Sequence, residues 1–412
     1  MRSSSRTPPK AEKRVCVIRM GWQPFIMQPL SNLVSSLAER GIETTIVKSF
    51  ARQDLGLTEE PDPEAGRQYF RLFFRRFTKL PLLGTVAMAL AWLEFQWRAY
   101  RTCRKLNPAV VVGIDVDTLP AAWWVSRRAR IPLVYYSYEL YTDPAWVPAS
   151  PLWNAMEHHL IHRAGLVVAC EPNRARVLRE RHGLKNTPMT VLNVPRRQDA
   201  VIPDGRLRAY LGARGNGRVK VAYYHGWITE DRCAGHLVDA MRFLEEEVVL
   251  FLLGPIEPEY RARLLAQAQN CGLEHRVFIH PMVASEELLG FAAAADVGLQ
   301  LQRNTGLNAY YCAPVKLFQY FAAGLPVVAS DFPGLREIVE GGALGYCADP
   351  EDSQAIANAI QRVLSDPAAR ARMSAHARRA HQRQYCYEVA GADLVARIEK
   401  LAVDASGSES LG

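Results

Sequence analysis

The chain has 412 residues, a length that at about 150 residues per domain accommodates two or three domains. Hydrophobic residues make up 49% and charged residues 22%, with 27 Gly and 25 Pro, a balance that excludes a disordered, collagen-like or low-complexity chain. The net charge of +8 is concentrated: residues 67–105 carry Arg67, Arg71, Arg75, Arg76, Lys79, Arg98, Arg101, Arg104 and Lys105 against the single acid Glu94, which accounts for the whole excess. No recognition helix or stacking motif accompanies these charges, so the expected partner is an anionic membrane surface and not nucleic acid. No apolar run reaches the roughly 20 residues of a spanning helix. The longest, Leu80 to Leu93, contains Pro81 and Gly84. The N-terminus is polar and basic, and the VCVI after it is too short for a signal-peptide core, so a cytoplasmic location is expected, peripheral on the cytoplasmic face of the membrane. Eight scattered cysteines without a CxxC pair read as reduced and mostly structural.

In chain order, residues 1–13 read as a disordered basic tail. A βαβ start follows: strand RVCVI (14–18), a loop, a helix from Pro29 to Arg40 closed by Gly41, and strand TTIVK. Further strands are expected at AVVVGI (109–114), PLVYYS (132–137) and LVVAC (166–170), separated by helical stretches such as LPAAWWVSRRA. The Arg-, Gly- and Pro-rich run at 195–217 reads as a linker. A second series then opens with VKVAYYHG and continues through VVLFLLG, RVFIH, DVGLQL and PVVAS. Continuous apolar strands alternating with helices imply parallel sheets covered on both faces. Two Rossmann-like domains facing each other across a cleft are expected, residues 14–200 and 201–385. After them come a C-terminal helix (386–403) packing back towards the first domain and a disordered tail (404–412).

At 100° per residue, Arg67, Arg71, Arg75 and Lys79 fall in an arc of about 120°, while Phe70, Phe73, Phe74 and Phe77 fill about 100° on the other side. This predicts an amphipathic helix. Its Phe face either packs on the domain core or dips into a membrane, where Arg71, Arg75 and Lys79 would meet lipid phosphates beside Phe73, Phe74 and Phe77. Leu80 to Trp97, with Trp92 and Trp97, would extend that surface.

The stretch DVGLQLQRNTGLNAYYCAPVKLFQYFAAGLPVVASDFPGLREIV (296–339) is the richest in chemistry. With YYHGWITEDRCAGHLVDAM, VVLFLLG and the earlier DVDTLPAAWWVSRRARIPLVYYSYELYTDP, it resembles glycosyltransferase family 4, the large retaining group of GT-B fold, over about residues 14 to 390. The resemblance implies an α/β GT-B fold, a second domain holding a nucleotide-sugar donor and a first domain facing the acceptor. It also implies transfer with retention to a lipid-linked or growing glycan acceptor, as in cell-surface polysaccharide or glycolipid biosynthesis, and no metal or other cofactor. A UDP-sugar is preferred over a GDP-sugar.

A nucleotide sugar presents two phosphates and a ribose diol, so its site needs cations, backbone N–H groups and hydroxyl acceptors. Arg232, six residues after Gly226, stands where the resemblance implies the phosphate-binding cation, and Lys316 sits at an expected helix start; both are assigned to stabilise the departing diphosphate. The donor side is expected to include Gly21, Gly226, Trp227, Gly254, His280, Met282, Asn308, Tyr311, Cys312, Ala313, Pro314, Val315 and Gln319. Strand-end His225 and His280 are open to a nucleotide-edge role or ordinary loop packing. On the acceptor side stand Asp115, Asp117, Tyr138 and Glu139; capping for the two aspartates and loop anchoring for Glu139 remain alternatives.

The sequence departs from the family pattern. The usual Glu-x7-Glu pair falls on Tyr311 and Gln319, the His before Glu139 is Tyr138, and the Arg after the Gly226-type glycine is Trp227. Gln319 can bond ribose hydroxyls only as a neutral amide, and a Glu there is expected to maintain or strengthen nucleotide binding. The losses leave open a non-catalytic homologue that supports another transferase, and more distantly a nucleotide-sugar epimerase of the same fold.

Overall fold

The computed structural model describes residues 13–21, 28–50, 65–78, 84–141, 143, 150–212, 219–312 and 314–408. The chain divides into two units, Met1–Val191 with Gly391–Gly412, and Leu192–Ala390. The first holds seven parallel strands, β1 (Arg14–Arg19), β2 (Glu43–Phe50), β3 (Ala65–Arg71), β4 (Val110–Ile114), β5 (Leu133–Ser137), β6 (Leu166–Ala169) and β7 (Met189–Thr190). Their order is β3-β2-β1-β4-β5-β6-β7, and Val17 of β1 lies opposite Ile46 on one side and Val112 on the other. β4 and β5 are buried along their whole length, as apolar runs covered on both faces must be. The helix Gln28–Ala38 between β1 and β2 buries Leu30, Leu33, Val34 and Leu37, the one-face spacing of an amphipathic helix. Beyond it Gly41 takes a left-handed φ of 71°.

The second unit holds six parallel strands, β8 (Lys220–His225), β9 (Val248–Leu253), β10 (Val277–His280), β11 (Val297–Gln300), β12 (Val327–Ser330) and β13 (Gly345–Ala348), ordered β10-β9-β8-β11-β12-β13. Buried residues of β8, β9 and β11 form its core with Leu237 and Val238 of the helix Ala234–Ala240 and Ile356, Ile360 and Val363 of the helix Ser353–Leu364. In both sheets the strand order reverses beside the first strand. In such sheets the crevice beyond the strands' C-terminal ends at that reversal is where ligands bind.

The structure corrects several expectations. Residues 67–71 are not helical: they belong to β3, paired in parallel with β2 from Ala65 to Arg71, so the helical wheel does not apply. Phe74–Phe77 forms a single 3-10 turn and the long helix begins only at Gly84, running to Leu106. The phenylalanines divide accordingly. Phe70 packs on Phe95, with ring centres 5.7 Å apart, Phe74 joins the same core, and Phe73 is exposed with the Arg76 guanidinium 3.6 Å from its ring centre. Lys79 lies outside the described residues. Lys13, assigned to the tail, accepts the Glu43 N–H at 3.0 Å. Residues 404–408 continue the helix Ala392–Ser408. That helix belongs to the first unit, where Arg40 and Glu399 form an ion pair of 2.7 Å. The second unit begins at Leu192, and the run read as linker includes the helix Arg206–Tyr210.

Candidate functional site

In the second unit, the ends of β8, β9 and β11 converge with the helix Val315–Ala323. Gly226 follows β8 at φ 117° and Gly254 follows β9 at φ 152°; a Cβ on Gly254 would lie 2.0 Å from the Gly226 carbonyl oxygen, so this approach requires glycine. A side chain at Gly226 would enter the space of Lys316, whose Nζ is 3.3 Å from where that Cβ would stand. Lys316 occupies the first turn of the helix Val315–Ala323, which Pro314 caps without a side-chain bond; in that turn the Leu317 N–H goes to the Pro314 carbonyl at 3.1 Å. Its Nζ sits 3.8 Å from the centre of the Tyr224 ring, and the Tyr224 hydroxyl donates to the Trp227 carbonyl at 2.5 Å.

Arg232 closes a 3-10 turn, Glu230–Arg232, and its Nη1 donates to Gln302 Oε1. Gln302 was not anticipated from sequence. Its Nε2 donates to the Ala309 carbonyl at 2.6 Å and its N–H to Ser330 Oγ at 2.8 Å, so one buried amide ties the Arg232 turn to the 306–311 loop and the end of β12. The available signal was the alternating pair Gln300 and Gln302 at and just beyond the end of β11. Loss of hydration and the nearby charge of Arg232 push the Lys316 ammonium well below its usual range, against weaker support from Cys312 and Asp231. Two cations brought this close, beside a helix N-terminus and glycine turns, form a receptacle for a polyanion.

The other donor-side expectations fall as follows. Gly306, at φ 135°, opens the short helix Leu307–Tyr310 that carries Asn308; Tyr311 ends it and Cys312 is buried. Ala313 lies outside the described residues. Trp227 is exposed. Gln319 Oε1 meets His225 Nε2 at 2.9 Å, a contact no sequence motif signals. His280 ends β10 with its ring stacked on Tyr210, centres 3.9 Å apart, and Met282 is exposed. Gly21 belongs to the first unit, where a Cβ would meet Arg19 Nε at 3.5 Å and Lys48 Cε at 3.6 Å.

In the first unit, Asp115 follows β4 at φ 60°, a conformation rare outside glycine. It is not a helix cap: its Oδ1 accepts the N–H groups of Tyr138 at 2.7 Å and Glu139 at 3.0 Å. Burial and the charge of Glu139 raise its carboxyl to about 7, against those two N–H bonds and Arg19. Asp117, buried beside it, is raised well above the usual range by burial and by Asp115. Its carbonyl accepts Trp92 Nε1 at 2.9 Å and Gln96 Nε2 at 2.7 Å, and Gln96 Oε1 accepts the Ala121 N–H at 3.0 Å. Trp92 is therefore turned inward, not onto the surface expected for it. The Tyr138 ring does not face outward either: it is 2% exposed and stacked on Tyr136, centres 4.3 Å apart. Glu139 keeps a 3.3 Å ion pair with Arg174.

The two sheets, each with its order reversed beside the first strand, are the Rossmann-like halves of the GT-B class. Residues 216–380 match the family model of glycosyl transferases group 1, and residues 29–195 match that of the glycosyl transferase 4-like domain. The chain belongs to glycosyltransferase family 4. It is 35% identical over 160 residues to a D-inositol 3-phosphate glycosyltransferase from Xylanimonas cellulosilytica, covering 38% of this chain and 37% of that one. Over 180 residues it is 26% identical to the amylovoran biosynthesis glycosyltransferase AmsK of Erwinia amylovora, covering 42% and 43%. The alignments thus span less than half of these curated relatives. In fold, it is similar to Anabaena HepE, solved in complex with UDP and glucose, with a TM-score of 0.72 at 18% identity over 96% of this chain and 100% of that one.

Proposed function

We propose that this protein is a retaining glycosyltransferase that moves a sugar from a nucleoside diphosphate donor to a lipid-linked or growing glycan acceptor on the cytoplasmic face of a membrane. The observation that carries this reading is the pairing of Arg232 and Lys316 around the Gly226 turn, at the strand ends where a doubly wound sheet binds ligands. The donor's diphosphate lies between the two cations, which stabilise it as it departs; a donor phosphate oxygen takes the acceptor's proton, so no side-chain nucleophile is needed. UDP is the favoured base carrier because HepE was solved with UDP. The relatives named for an inositol phosphate and for amylovoran support an acceptor of the lipid or glycan class.

Among the described residues no helix is long and apolar enough to cross a membrane. The membrane contact falls instead on the helix Gly84–Leu106, which exposes Val86, Leu90, Leu93 and Trp97 along one face, Val86 and Trp97 each by 55%. Arg101, 4.7 Å from the Trp97 ring centre, and Arg104 and Lys105 follow on its last turns. An exposed apolar stripe ending in cations fits an anionic lipid surface.

The replaced carboxylates at 311 and 319 favour one other reading, a homologue that binds nucleotide and supports a second transferase. Calorimetry with UDP, GDP, UDP-glucose and GDP-mannose, followed by UDP release with vesicle-borne acceptors, separates the two. Failure to bind any of the four removes the donor-site reading; binding without turnover favours the supporting homologue.

A further inference from the structure

His225 ends β8 immediately before the Gly226 turn and is 4% exposed. Its backbone N–H is taken by the Tyr320 hydroxyl at 3.3 Å, and its ring lies edge-on to Tyr320, centres 5.1 Å apart, with Tyr223 at 5.5 Å on the same strand. Nε2 stands 2.9 Å from Gln319 Oε1. An amide oxygen only accepts, so Nε2 carries a proton and donates it. Burial first, and then the charge of Lys316, hold the imidazolium down to about 3, against the Gln319 bond, so the ring is neutral at physiological pH. In a neutral ring protonated on Nε2, Nδ1 is a bare acceptor. That Nδ1 is buried and has no hydrogen-bond partner among the described residues.

A buried acceptor left without a donor costs about 1–3 kcal/mol and is uncommon in folded proteins. The position narrows what completes it. The atom belongs to the last residue of the strand at which the sheet order reverses, next to a glycine turn and to Lys316. The ligand of such a place must bring a donor; a nucleotide sugar offers the N–H of its base and its hydroxyls, and beside Lys316 and the glycine turn, read as holding the diphosphate, the hydroxyls of the flanking sugars are the nearer donors. In the family pattern the acceptors of hydroxyls are carboxylates, and this chain has none at 311 or 319.

We propose that His225 determines donor recognition: Nε2–H holds the Gln319 amide, and Nδ1 accepts a hydrogen bond from a hydroxyl of the nucleotide sugar. The proposal rests on reading the second unit as a nucleotide-sugar site. It explains why the neutral amide at 319 belongs with this ring. A neutral imidazole accepts from a hydroxyl without placing negative charge beside the diphosphate, and Gln319, being uncharged, takes the Nε2–H without the pull towards the imidazolium that a carboxylate would exert. A carboxylate at 319 would face Nε2 with Lys316 alongside. It would draw a proton onto the ring, convert Nδ1 from acceptor to donor and remove the contact. The charged and titratable groups around the ring are Lys316 and Tyr320 on the helix, Tyr223 and Tyr224 on β8, and Arg232 and Asp231 on the following turn. Of these, Lys316 opposes ring protonation directly, while Arg232 and Asp231 act on Lys316.

The test uses the full chain with UDP and UDP-glucose as probes. His225→Gln retains a donor near the Nε2 position for Gln319 but no acceptor at Nδ1, and should bind UDP-glucose at least tenfold more weakly. His225→Asn places an acceptor oxygen near Nδ1 and loses the link to 319, and should stay within about threefold of wild type. Gln319→Glu, expected from the family pattern to maintain or strengthen binding, should with His225 at 2.9 Å bind more weakly than wild type at pH 6, with the loss shrinking by pH 9. The reverse ranking of the two His225 variants, or wild-type binding by both, would overturn the proposal. On wild type itself, ¹⁵N-histidine spectra should show an unprotonated Nδ1 that shifts when UDP-glucose is added; an Nδ1 resonance that does not move would overturn it without any variant. If wild type binds neither probe, the donor-site reading falls and the role of His225 falls with it.

Discussion

The Lys316 ammonium rests on the face of Tyr224, 3.8 Å from the ring centre, and fills the space that a side chain at position 226 would need. A cation on an aromatic face gains about 0.5–2 kcal/mol, a partial substitute for the water it has lost. Strand β8 and the turn after it thus supply the seat for the lysine, the glycine that makes room for it and, through the Tyr224 hydroxyl, the brace for Trp227.

Because burial and Arg232 hold Lys316 below its ordinary range, a bound diphosphate should return it to the charged form. Between the free and bound pKa values binding then takes up a proton, so UDP affinity should fall as pH rises from the one to the other. Calorimetry in buffers of different ionisation enthalpy reads the proton directly, and Lys316→Met should abolish the uptake. Proton uptake unchanged in Lys316→Met would assign it elsewhere.

Arg232→Ala should weaken UDP binding by about tenfold to over a hundredfold, the loss of one charge-assisted bond worth roughly 1.5–3 kcal/mol. The fold should survive, since the Arg232 side chain is partly exposed. Binding within twofold of wild type, measured by calorimetry on a variant with an unchanged melting curve, would remove Arg232 from the site.

Asp115 carries a stability signature. Its carboxyl is raised from 3.8 to about 7, so between those values the folded state binds more protons than the unfolded state. Its stabilising contribution is complete below about 4 and is lost as pH rises through 7, at up to about 1.4 kcal/mol per pH unit. Asp115→Asn keeps an oxygen for the Tyr138 and Glu139 N–H groups and does not titrate. In urea melts it should gain on wild type from pH 4 to pH 7; a difference that is flat in pH would contradict the assignment.

Vesicle co-sedimentation tests the lipid surface. Each basic residue near an anionic membrane contributes about 1 kcal/mol. Changing Arg101, Arg104 and Lys105 to Glu should therefore abolish pelleting with anionic vesicles, and Leu93→Ser with Trp97→Ser should reduce it several-fold. Wild type should pellet less at 1 M salt, where screening shortens to about 3 Å. Equal pelleting with neutral and anionic lipid would make the stripe an ordinary solvated face.

The central strands were legible because a fully buried parallel strand is a short apolar run bounded by turn residues, as VVVGI and VVLFLL are. β3 was not. In RQYFR the arginines recur at a four-residue spacing that also fits a helix, and only pairing with β2 decides between the two. The site was legible where chemistry is local, as at Gly226, Arg232 and Lys316. The His225–Gln319 contact joins residues 94 positions apart, and Gln302 reaches Arg232 across 70. Such pairings follow from the order in which strands are laid side by side, which no short motif encodes. The burial of Tyr138 was hidden differently: Tyr136, only two positions earlier, stacks on it through the bend after β5, and two-residue alternation does not announce such a stack.

The chain passes from one unit to the other twice, after Val191 and again after Ala390, so the first unit is assembled from both ends of the polypeptide and the second from one uninterrupted stretch. On the ribosome this reverses the order in which the units can be finished. Residues 192–390 have all been joined before the helix Ala392–Ser408 is made, and until it is made Arg40 lacks Glu399. The unit that begins first is therefore completed last, since the helix Ala392–Ser408 is added only after every residue of the second unit.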